Sequence, residues 1–379
     1  MKSTETLISS HTAEQLTDSG NTFAVLVDVI RTTVQICGLS ELEAKAILHA
    51  WSRCNARVVS DQHTSQAFET LNRPVALSWT QFHENLVSWA TLKAIESGRG
   101  ELFMFHAAAL SSPNSGATIV LTAESGTGKT TATLNLAKTL GYVTDETATF
   151  GADRKLYPYA KPLSLLPTSK QRPKTQYSPE DLNLLQPDIE PYVAAIAILD
   201  RDRTGETISP TFEPLPLAHA LNQIIPQISS LPHLDRGLVQ LCQQIDSLGG
   251  VIRLHYSEAS ELIHVVTELL ASQRPHQIGV WSALDIGITG TEAQGAGYYR
   301  RVQVKDAILL GEEAAILMNE EYFVLSGIGP SIWKSLASWK SSSQLLDEIV
   351  AEHGRPPGAE LMLDAQLGVL VEQGIVEQS

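Results

Sequence analysis

Apolar residues in the middle of the chain occur in short unbroken runs rather than in alternation with polar ones. Runs of this kind are typical of strands that are buried on both faces of a sheet. They predict strands at residues 103–110, 117–122, 193–199 and 251–256. Between these runs, apolar residues recur at helical spacing around residues 132–140, 219–228 and 235–248, so strands and helices are expected to alternate.

The two ends of the chain have different patterns. Residues 1–20 are polar, and the mixed region that follows has helical spacing at 41–51 and 80–97. Four glycines within residues 285–298 indicate a linker between domains. Beyond it, three short strands and three helices are predicted near residues 302–304, 314–318, 322–325, 330–339, 344–352 and 359–373. The predicted domains are residues 1–100, 101–284 and 299–379. The first is expected to be an α+β region packed on the second, and the linker joins the last two.

One predicted strand runs directly into a glycine-rich loop and then into a helical pattern. Residues 123–130 read Ala-Glu-Ser-Gly-Thr-Gly-Lys-Thr, which matches a phosphate-binding loop except that Ala123 replaces the first glycine. In such a loop the backbone N–H groups hold a polyphosphate, Lys129 reaches its outer phosphates, and the hydroxyl of Thr130 is placed for Mg²⁺. Gly141 stands where this helix is expected to end. The candidate nucleotide-binding residues are Ser125, Gly126, Thr127, Gly128, Lys129, Thr130 and Thr131.

Composition limits the partners that this chain of 379 residues is expected to take. It has 27 Lys and Arg against 42 Asp and Glu, a net charge of −15, which argues against binding nucleic acid or an anionic membrane surface. The three cysteines are widely spaced without a C-x-x-C pair, so neither a disulfide framework nor a zinc site is expected. The N-terminus lacks a signal-like apolar core and no run of about 18 apolar residues exists, which predicts a cytoplasmic protein without a membrane span.

Features around the loop resemble the HPr kinase/phosphorylase family and its serine-kinase relatives, which share a phosphate-loop fold with phosphoenolpyruvate carboxykinase. They are His106 in the apolar strand before the loop, the loop itself, and the acidic pair Asp145 and Glu146 after a short strand predicted at 142–144. The segment Tyr-Ala-Lys-Pro-Leu-Ser-Leu at 159–165 is similar to one in unclassified relatives of the family. Two features differ: the second acidic residue is Glu rather than Asp, and the Glu-Ile-Arg-Gly-Leu-Gly segment of true HPr kinases is absent, which leaves HPr unsupported as the substrate. The resemblance implies an α/β (α+β) kinase domain of this type.

The resemblance also implies a role for each of these residues. Asp145 is expected to be the base that orients the acceptor hydroxyl and Glu146 to bind Mg²⁺, although the two roles could be exchanged, since consecutive strand residues point to opposite sides. His106 is expected beside Asp145, where it would orient the carboxylate or tune its pKa, with a core histidine as the alternative. Lys161 would contact a nucleotide or substrate phosphate, or be a surface lysine before Pro162. The candidate catalytic residues are thus Asp145, His106 and Lys129, the candidate metal ligands are Thr130 and Glu146, and the expected cofactors are ATP, or another nucleoside triphosphate, and Mg²⁺.

The tail resembles the PqqD family, whose relatives recognise leader peptides in ribosomal-peptide tailoring. The resemblance rests on Tyr-Phe-Val-Leu-Ser-Gly-Ile-Gly at 322–329, on Ile332-Trp333, and on Leu370 followed by Gly374-Ile375-Val376. In that family a leader peptide adds a strand to a sheet edge and packs against the last helix. A small winged-helix-like domain of three strands and three helices is implied, and the last helix either keeps one face available or buries both. The candidate leader-binding residues are Tyr322, Phe323, Val324, Met362, Gln366 and Val369.

Together the two resemblances predict an ATP-dependent kinase that phosphorylates a Ser or Thr hydroxyl of a ribosomally made precursor peptide, held through its leader by the tail. Two alternatives stay open. The chain could be a non-catalytic nucleotide-binding chaperone or scaffold that presents a peptide to another tailoring enzyme, or a small-molecule kinase of the serine type whose tail mediates assembly. Other tailoring enzymes are therefore candidate partners. A homo-oligomer is also open, because true HPr kinases assemble.

Overall fold

The first part of the protein is a small sheet covered by two helices. The computed structural model describes residues 22–59, 68–124, 126–167, 172–204, 208–272, 280–290 and 295–379. The elements of the first part are β1 (Phe23–Val29), β2 (Thr32–Leu39), α1 (Glu41–Ala50), β3 (Arg57–Val59), β4 (Glu69–Asn72) and α2 (Trp79–Gly98). The strand order is β3-β1-β2-β4, and only β4 runs parallel to its neighbour. Both helices predicted here are confirmed; strands were expected in this α+β region, but none of the four was predicted at a position.

Helices α1 and α2 bury aromatic side chains against this sheet. Trp51 and Phe82 are almost fully enclosed there, and Tyr159 of the next part reaches into the same core. Trp51 donates its indole N–H to Nε2 of His83 at 3.2 Å. Burial lowers the pKa of His83 to about 4, so its imidazole is neutral at neutral pH and accepts this hydrogen bond.

The second part is built on a mixed sheet with helices on both faces. Its elements are β5 (Phe103–Ser111), β6 (Ala117–Thr122), α3 (Lys129–Leu136), β7 (Gly141–Thr144), β8 (Thr147–Phe150), β9 (Leu163–Leu165), β10 (Thr175–Tyr177), β11 (Tyr192–Arg201), β12 (Thr211–Pro214), α4 (Leu217–Ile224), α5 (Gly237–Ser247), β13 (Val251–Tyr256) and α6 (Leu262–Ala271). The strand order is β12-β13-β11-β6-β5-β7, and β8 also pairs with β5. Strand β6 thus lies between β11, which is parallel to it, and β5, which is antiparallel. The strands and helices predicted from the apolar runs are confirmed, and β9 and β10 form a separate hairpin.

Two apolar cores lie on the two faces of this sheet. Helices α3 and α6 pack on one face, and α4 and α5 pack on the other. The prediction that Gly141 caps the end of α3 is wrong, because α3 ends at Leu136 with Ala137 as its cap and Gly141 begins β7. Glycine is required there for packing, since a Cβ would lie 2.8 Å from Cα of Pro187. No helix in the described ranges is long and apolar enough to cross a membrane.

The tail contains two small sheets and three helices. Its elements are β14 (Trp281–Ala283), β15 (Tyr298–Arg301), β16 (Asp306–Leu310), β17 (Glu313–Met318), β18 (Glu321–Leu325), α7 (Gly329–Ser335), β19 (Lys340–Ser341), α8 (Ser342–His353), α9 (Ala359–Glu372) and β20 (Val376–Gln378). The sheets have the orders β14-β16-β17-β18 and β19-β15-β20. The strand expected near residues 302–304 lies instead at β15, and β14, β16, β19 and β20 were not predicted. The three predicted helices and the strands at β17 and β18 are confirmed.

The tail packs directly on α5 of the second part. Ile308 and Leu317 belong to the same apolar core as the buried leucines of that helix. Asp306 is fully buried, with Oδ1 lying 2.6 Å from Nε of Arg236, and Oδ2 accepts the backbone N–H of Val239 at 3.0 Å. Strand β14 precedes the predicted linker yet belongs to the tail sheet. Residues 291–294 of that linker lie outside the described residues, and the division into domains stays a prediction.

Candidate active site

The glycine-rich loop connects the buried strand β6 to the start of α3. Gly126 and Gly128 have φ angles of 82° and 103°, which place both in the left-handed region that favours glycine. A Cβ at Gly126 would meet nothing within 4 Å, so the loop backbone is open on that side. Thr130 and Thr131 are exposed in the first turn of the helix. Ser125, the remaining candidate of the loop, lies outside the described residues.

Lys129 is the first residue of α3 and extends toward strand β5. Its Nζ donates a hydrogen bond to the backbone carbonyl of His106 at 2.9 Å. Burial lowers the pKa of Lys129 to about 8, although the nearby carboxylates of Glu146 and Asp145 act in the opposite direction. The lysine therefore lies where it can change its charge when an anion binds at the loop.

The acidic pair lies in the bend between β7 and β8, opposite His106. Both strands pair with β5, and the register places Thr147 across from His106. The backbone carbonyl of Glu146 accepts a hydrogen bond from the N–H of Ala107 at 3.0 Å. The backbone N–H of Glu146 donates to Oγ1 of Thr144 at 3.3 Å. The sheet thus brings together residues that are far apart in sequence: the loop lysine, the strand histidine and both carboxylates.

Lys161 completes this cluster from the segment that precedes β9. Its side chain is fully buried, and Nζ lies 3.1 Å from Oδ1 of Asp145 and 2.9 Å from Oε2 of Glu146. Burial lowers the pKa of Lys161, but the two carboxylates outweigh this effect and raise it above its ordinary value. The Lys161 charge in turn is the main reason that the pKa of Glu146 is lowered. The predicted alternative of a surface lysine is wrong, because Lys161 is fully buried. Its ammonium group contacts the acidic pair and does not face the open cleft.

His106 and Tyr142 flank the acidic pair. His106 is partly exposed, and the burial of the rest of its side chain, together with the Lys129 charge, lowers its pKa, so the imidazole is neutral at neutral pH. Both carboxylates act on this ring electrostatically, but within the described residues no hydrogen bond joins it to Asp145. Asp145 is instead bonded by Tyr142, whose buried hydroxyl donates to Oδ1 of Asp145 at 2.9 Å. Tyr142 was not predicted as a site residue.

Arginines border the other side of the loop, at the end of β11. Arg203 donates to the backbone carbonyl of Gly126 at 2.7 Å, and Arg201 donates to the carbonyl of Ser257 at 3.0 Å. A cavity of about 420 Å³ opens here, lined among others by Glu124, Thr127, Asp200, Arg201, Arg203 and Arg253. Sequence reasoning missed this group, although charged residues directly after a buried parallel strand are a signal for a ligand site.

The loop surroundings fit a bound nucleotide and a metal ion. The buried hydroxyls of Thr122 and Tyr256 have no hydrogen-bond partner among the described residues, and the Tyr256 hydroxyl lies 3.7 Å from where a Cβ at Gly128 would be. A polyphosphate in the loop would supply acceptors on this side. Within the same ranges, no group of three or more His, Cys, Asp or Glu side chains could hold a metal by itself. A Mg²⁺ ion would therefore share ligands between the protein and phosphates, as is usual for this ion.

Only part of the candidate leader-binding group lies on the tail surface, because Tyr322 packs against the core shared with α5, with its hydroxyl buried, and Phe323 packs against the tail core. Strand β18 is an edge strand of its sheet; Tyr322 and Phe323 are partly buried on it, whereas Val324 is exposed. On α9, Leu363, Leu367 and Leu370 face the tail core, whereas Met362 and Val369 are 54% and 45% exposed and Gln366 is partly exposed. The helix thus keeps an apolar stripe outside its core.

Comparison with known proteins leaves the family of this chain open. No family model matches the chain, and no curated protein matches it. One solved structure that it matches is the Hpr(Ser) kinase/phosphatase from Coxiella burnetii, at 13% identity and a TM-score of 0.25, covering 44% of this chain and 93% of that one. A likeness of this size carries no weight for fold or mechanism. What the site can do therefore rests on its own geometry.

Proposed function

We propose that this chain is a kinase that transfers the terminal phosphoryl group of a nucleoside triphosphate to a Ser or Thr hydroxyl of a peptide. The observation that carries the proposal is the position of the acidic pair. Nζ of Lys129, at the end of the loop, donates to the backbone carbonyl of His106 in β5. Asp145 and Glu146 lie in the bend between β7 and β8, and both of these strands pair with β5. Phosphoryl transfer requires these parts: a cradle for phosphates, a cation, a metal ligand and a group that orients the attacking hydroxyl.

Each residue has a defined task in this reaction. Lys129 and the loop N–H groups bind the outer phosphates, and Thr130 and Glu146 would hold a Mg²⁺ ion, which neutralises phosphate charge when bound. Asp145 accepts the proton of the acceptor hydroxyl. The hydroxyl oxygen forms a bond to the terminal phosphorus while the bond from that phosphorus to the bridging oxygen breaks, and a nucleoside diphosphate leaves.

The tail supports a peptide as the acceptor. An edge strand such as β18 offers backbone groups to an added strand, and Val324 on this strand and Met362 and Val369 on α9 are exposed apolar side chains of the tail. A tethered peptide is present at high local concentration, so the catalytic site needs little affinity of its own for the acceptor.

Phosphate transfer to small precursor-like peptides encoded beside this chain tests the proposal. Incubation with ATP and Mg²⁺ should add the mass of one phosphate to such a peptide. Lys129→Ala should abolish this gain, and the matched control Lys138→Ala, at an exposed lysine just after α3, should not. Nucleotide binding without any mass gain on these peptides would reject a peptide kinase.

Peptide capture is best tested by point variants. Deleting the tail would uncover apolar surface on α5, since Ile308 and Leu317 share its core. Met362→Glu should weaken peptide binding, measured by fluorescence anisotropy, while the neighbouring and more exposed Leu361→Glu should not. Equal effects of the two substitutions would argue against capture by the outer stripe of α9.

A further inference from the structure

Lys161 has no task in the phosphoryl transfer described above, although it is the most deeply buried charge of the site. Its Nζ has three acceptors within reach: Oδ1 of Asp145 at 3.1 Å, Oε2 of Glu146 at 2.9 Å and the carbonyl of Pro162 at 3.4 Å. An ammonium group has three N–H donors. Lys161 thus has no donor left for a phosphate, and its full burial keeps it out of the cleft.

The Asp145 oxygen that Lys161 contacts is engaged twice. The hydroxyl of Tyr142 donates to the same Oδ1 at 2.9 Å, and Tyr142 is held inside strand β7. A carboxylate oxygen has about two lone-pair sites, so Oδ1 is saturated by these two donors. Within the described part of the chain no hydrogen bond reaches Oδ2, which is therefore the Asp145 atom available to accept a proton from a hydroxyl.

Glu146 is less enclosed than Asp145. Lys161 contacts Oε2, while 39% of the Glu146 side chain is exposed, against 10% for Asp145. Its backbone is fixed by the bond from the N–H of Ala107. Glu146 is therefore the more open of the two carboxylates.

We propose that Lys161 is a positioning residue that occupies the place of a second metal ion between the two carboxylates. It assigns Asp145 to the acceptor hydroxyl and Glu146 to a single Mg²⁺ ion, and this inference rests on the proposed function. Two carboxylates that share a site would otherwise attract a cation between them, because their like charges repel. The chain supplies that cation itself, in a buried position from which it cannot be exchanged for metal.

Manganese binding tests this assignment without any acceptor peptide. Electron paramagnetic resonance counts the Mn²⁺ ions bound to the complex with a non-hydrolysable ATP analogue, and the wild type should bind one. Lys161→Met keeps an unbranched side chain, one atom shorter, and removes its charge, so it should bind Mn²⁺ about tenfold more tightly or take up a second ion. Its turnover should fall by about 10- to 100-fold, as is typical when a partner of a metal site is lost.

Tyr142→Phe is the matched variant, because it removes the second donor to Asp145, together with a 3.4 Å contact to the backbone carbonyl of Lys161, and leaves the Lys161 charge in place. It should lower turnover while leaving Mn²⁺ affinity and stoichiometry as in the wild type. Two Mn²⁺ ions in the wild type, or unchanged or weaker Mn²⁺ binding in Lys161→Met, would overturn the assignment. Loss of nucleotide affinity in Lys161→Met would do so as well, since it would mean that Lys161 acts on phosphates. If the wild type phosphorylates no peptide, the proposed function fails, whereas the Mn²⁺ counts still decide the role of Lys161.

Discussion

Nucleotide binding should take up a proton at Lys129, and the structure sets the amount. Burial lowers the pKa of this ammonium to about 8 in the free protein. A bound polyphosphate puts negative charge beside Nζ, which favours the ammonium and raises its pKa again. If the bound pKa returns to its ordinary range, each binding event takes up roughly 0.1 proton at pH 7, roughly 0.5 at pH 8 and roughly 0.9 at pH 9.

Isothermal titration calorimetry in buffers of different ionisation enthalpy measures this uptake. At pH 8 and above the nucleotide adds little of its own, because a terminal phosphate has a second pKa of about 6. Lys129→Arg is the decisive control, since arginine stays protonated and keeps the positive charge. The uptake should vanish in that variant and persist in Lys138→Arg, which changes an exposed lysine.

Two results would refute the reasoning. Proton uptake that does not grow between pH 7 and pH 9 would mean that Lys129 is already fully charged in the free protein. Equal uptake by the wild type and Lys129→Arg would mean that another group takes the proton. The same linkage requires nucleotide affinity of the wild type to fall as the pH rises above about 8.

Three further predictions concern the acidic pair, the first part and the tail. Asp145→Asn should lower turnover by about 10²- to 10⁴-fold with little change in nucleotide affinity, as measured by transfer kinetics and nucleotide titration; an equal loss of affinity would place this residue on the nucleotide. His83 has a folded pKa of about 4 against 6.5 when unfolded, so its contribution to stability is present above pH 6.5 and is lost as the pH falls toward 4. The variant His83→Gln keeps an acceptor for Trp51. Between pH 7 and pH 4.5, the free energy of unfolding measured with urea should fall by roughly 2–3 kcal/mol less in this variant than in the wild type. Equal pH dependence in both proteins would contradict this. Asp306→Ala should destabilise the protein by about 2–4 kcal/mol, because Arg236 and two backbone N–H groups lose their partner; a change below about 1 kcal/mol in urea unfolding would show that the ion pair does not hold the tail.

Apolar patterning predicted the central sheet because its strands are buried on both faces. Residues 117–122 and 251–256 are apolar runs with clear ends, and they form β6 and β13 with those bounds. The hairpin of β1 and β2 lacks such punctuation. Its turn places Ile30 at a φ of 54°, whereas tight turns of this kind are normally marked by Gly, Asn or Asp.

The candidate site was predictable where the family resemblance supplied its residues. The pairing of β5 with β7 and β8 explains why Lys129, His106 and the acidic pair lie together. The environment of Lys161 could not be read in this way. A lysine before a proline in a polar segment is normally exposed, and its burial depends on two carboxylates that are more than a dozen residues away in sequence.

The packing of the tail decides how an acceptor could reach the loop. A peptide held on β18 would be fixed relative to α5, because Ile308 and Leu317 join the core of that helix and Asp306 pairs with Arg236. The tail therefore does not supply reach by swinging on a linker. The reach has to come from the peptide itself, at up to about 3.3–3.6 Å for each residue between its captured segment and its hydroxyl. Local concentration at the site is highest when that length matches the span and falls on either side. If the proposed function holds, the chain would select its hydroxyl by the distance from the captured segment, and the catalytic site would need to recognise the surrounding residues only weakly.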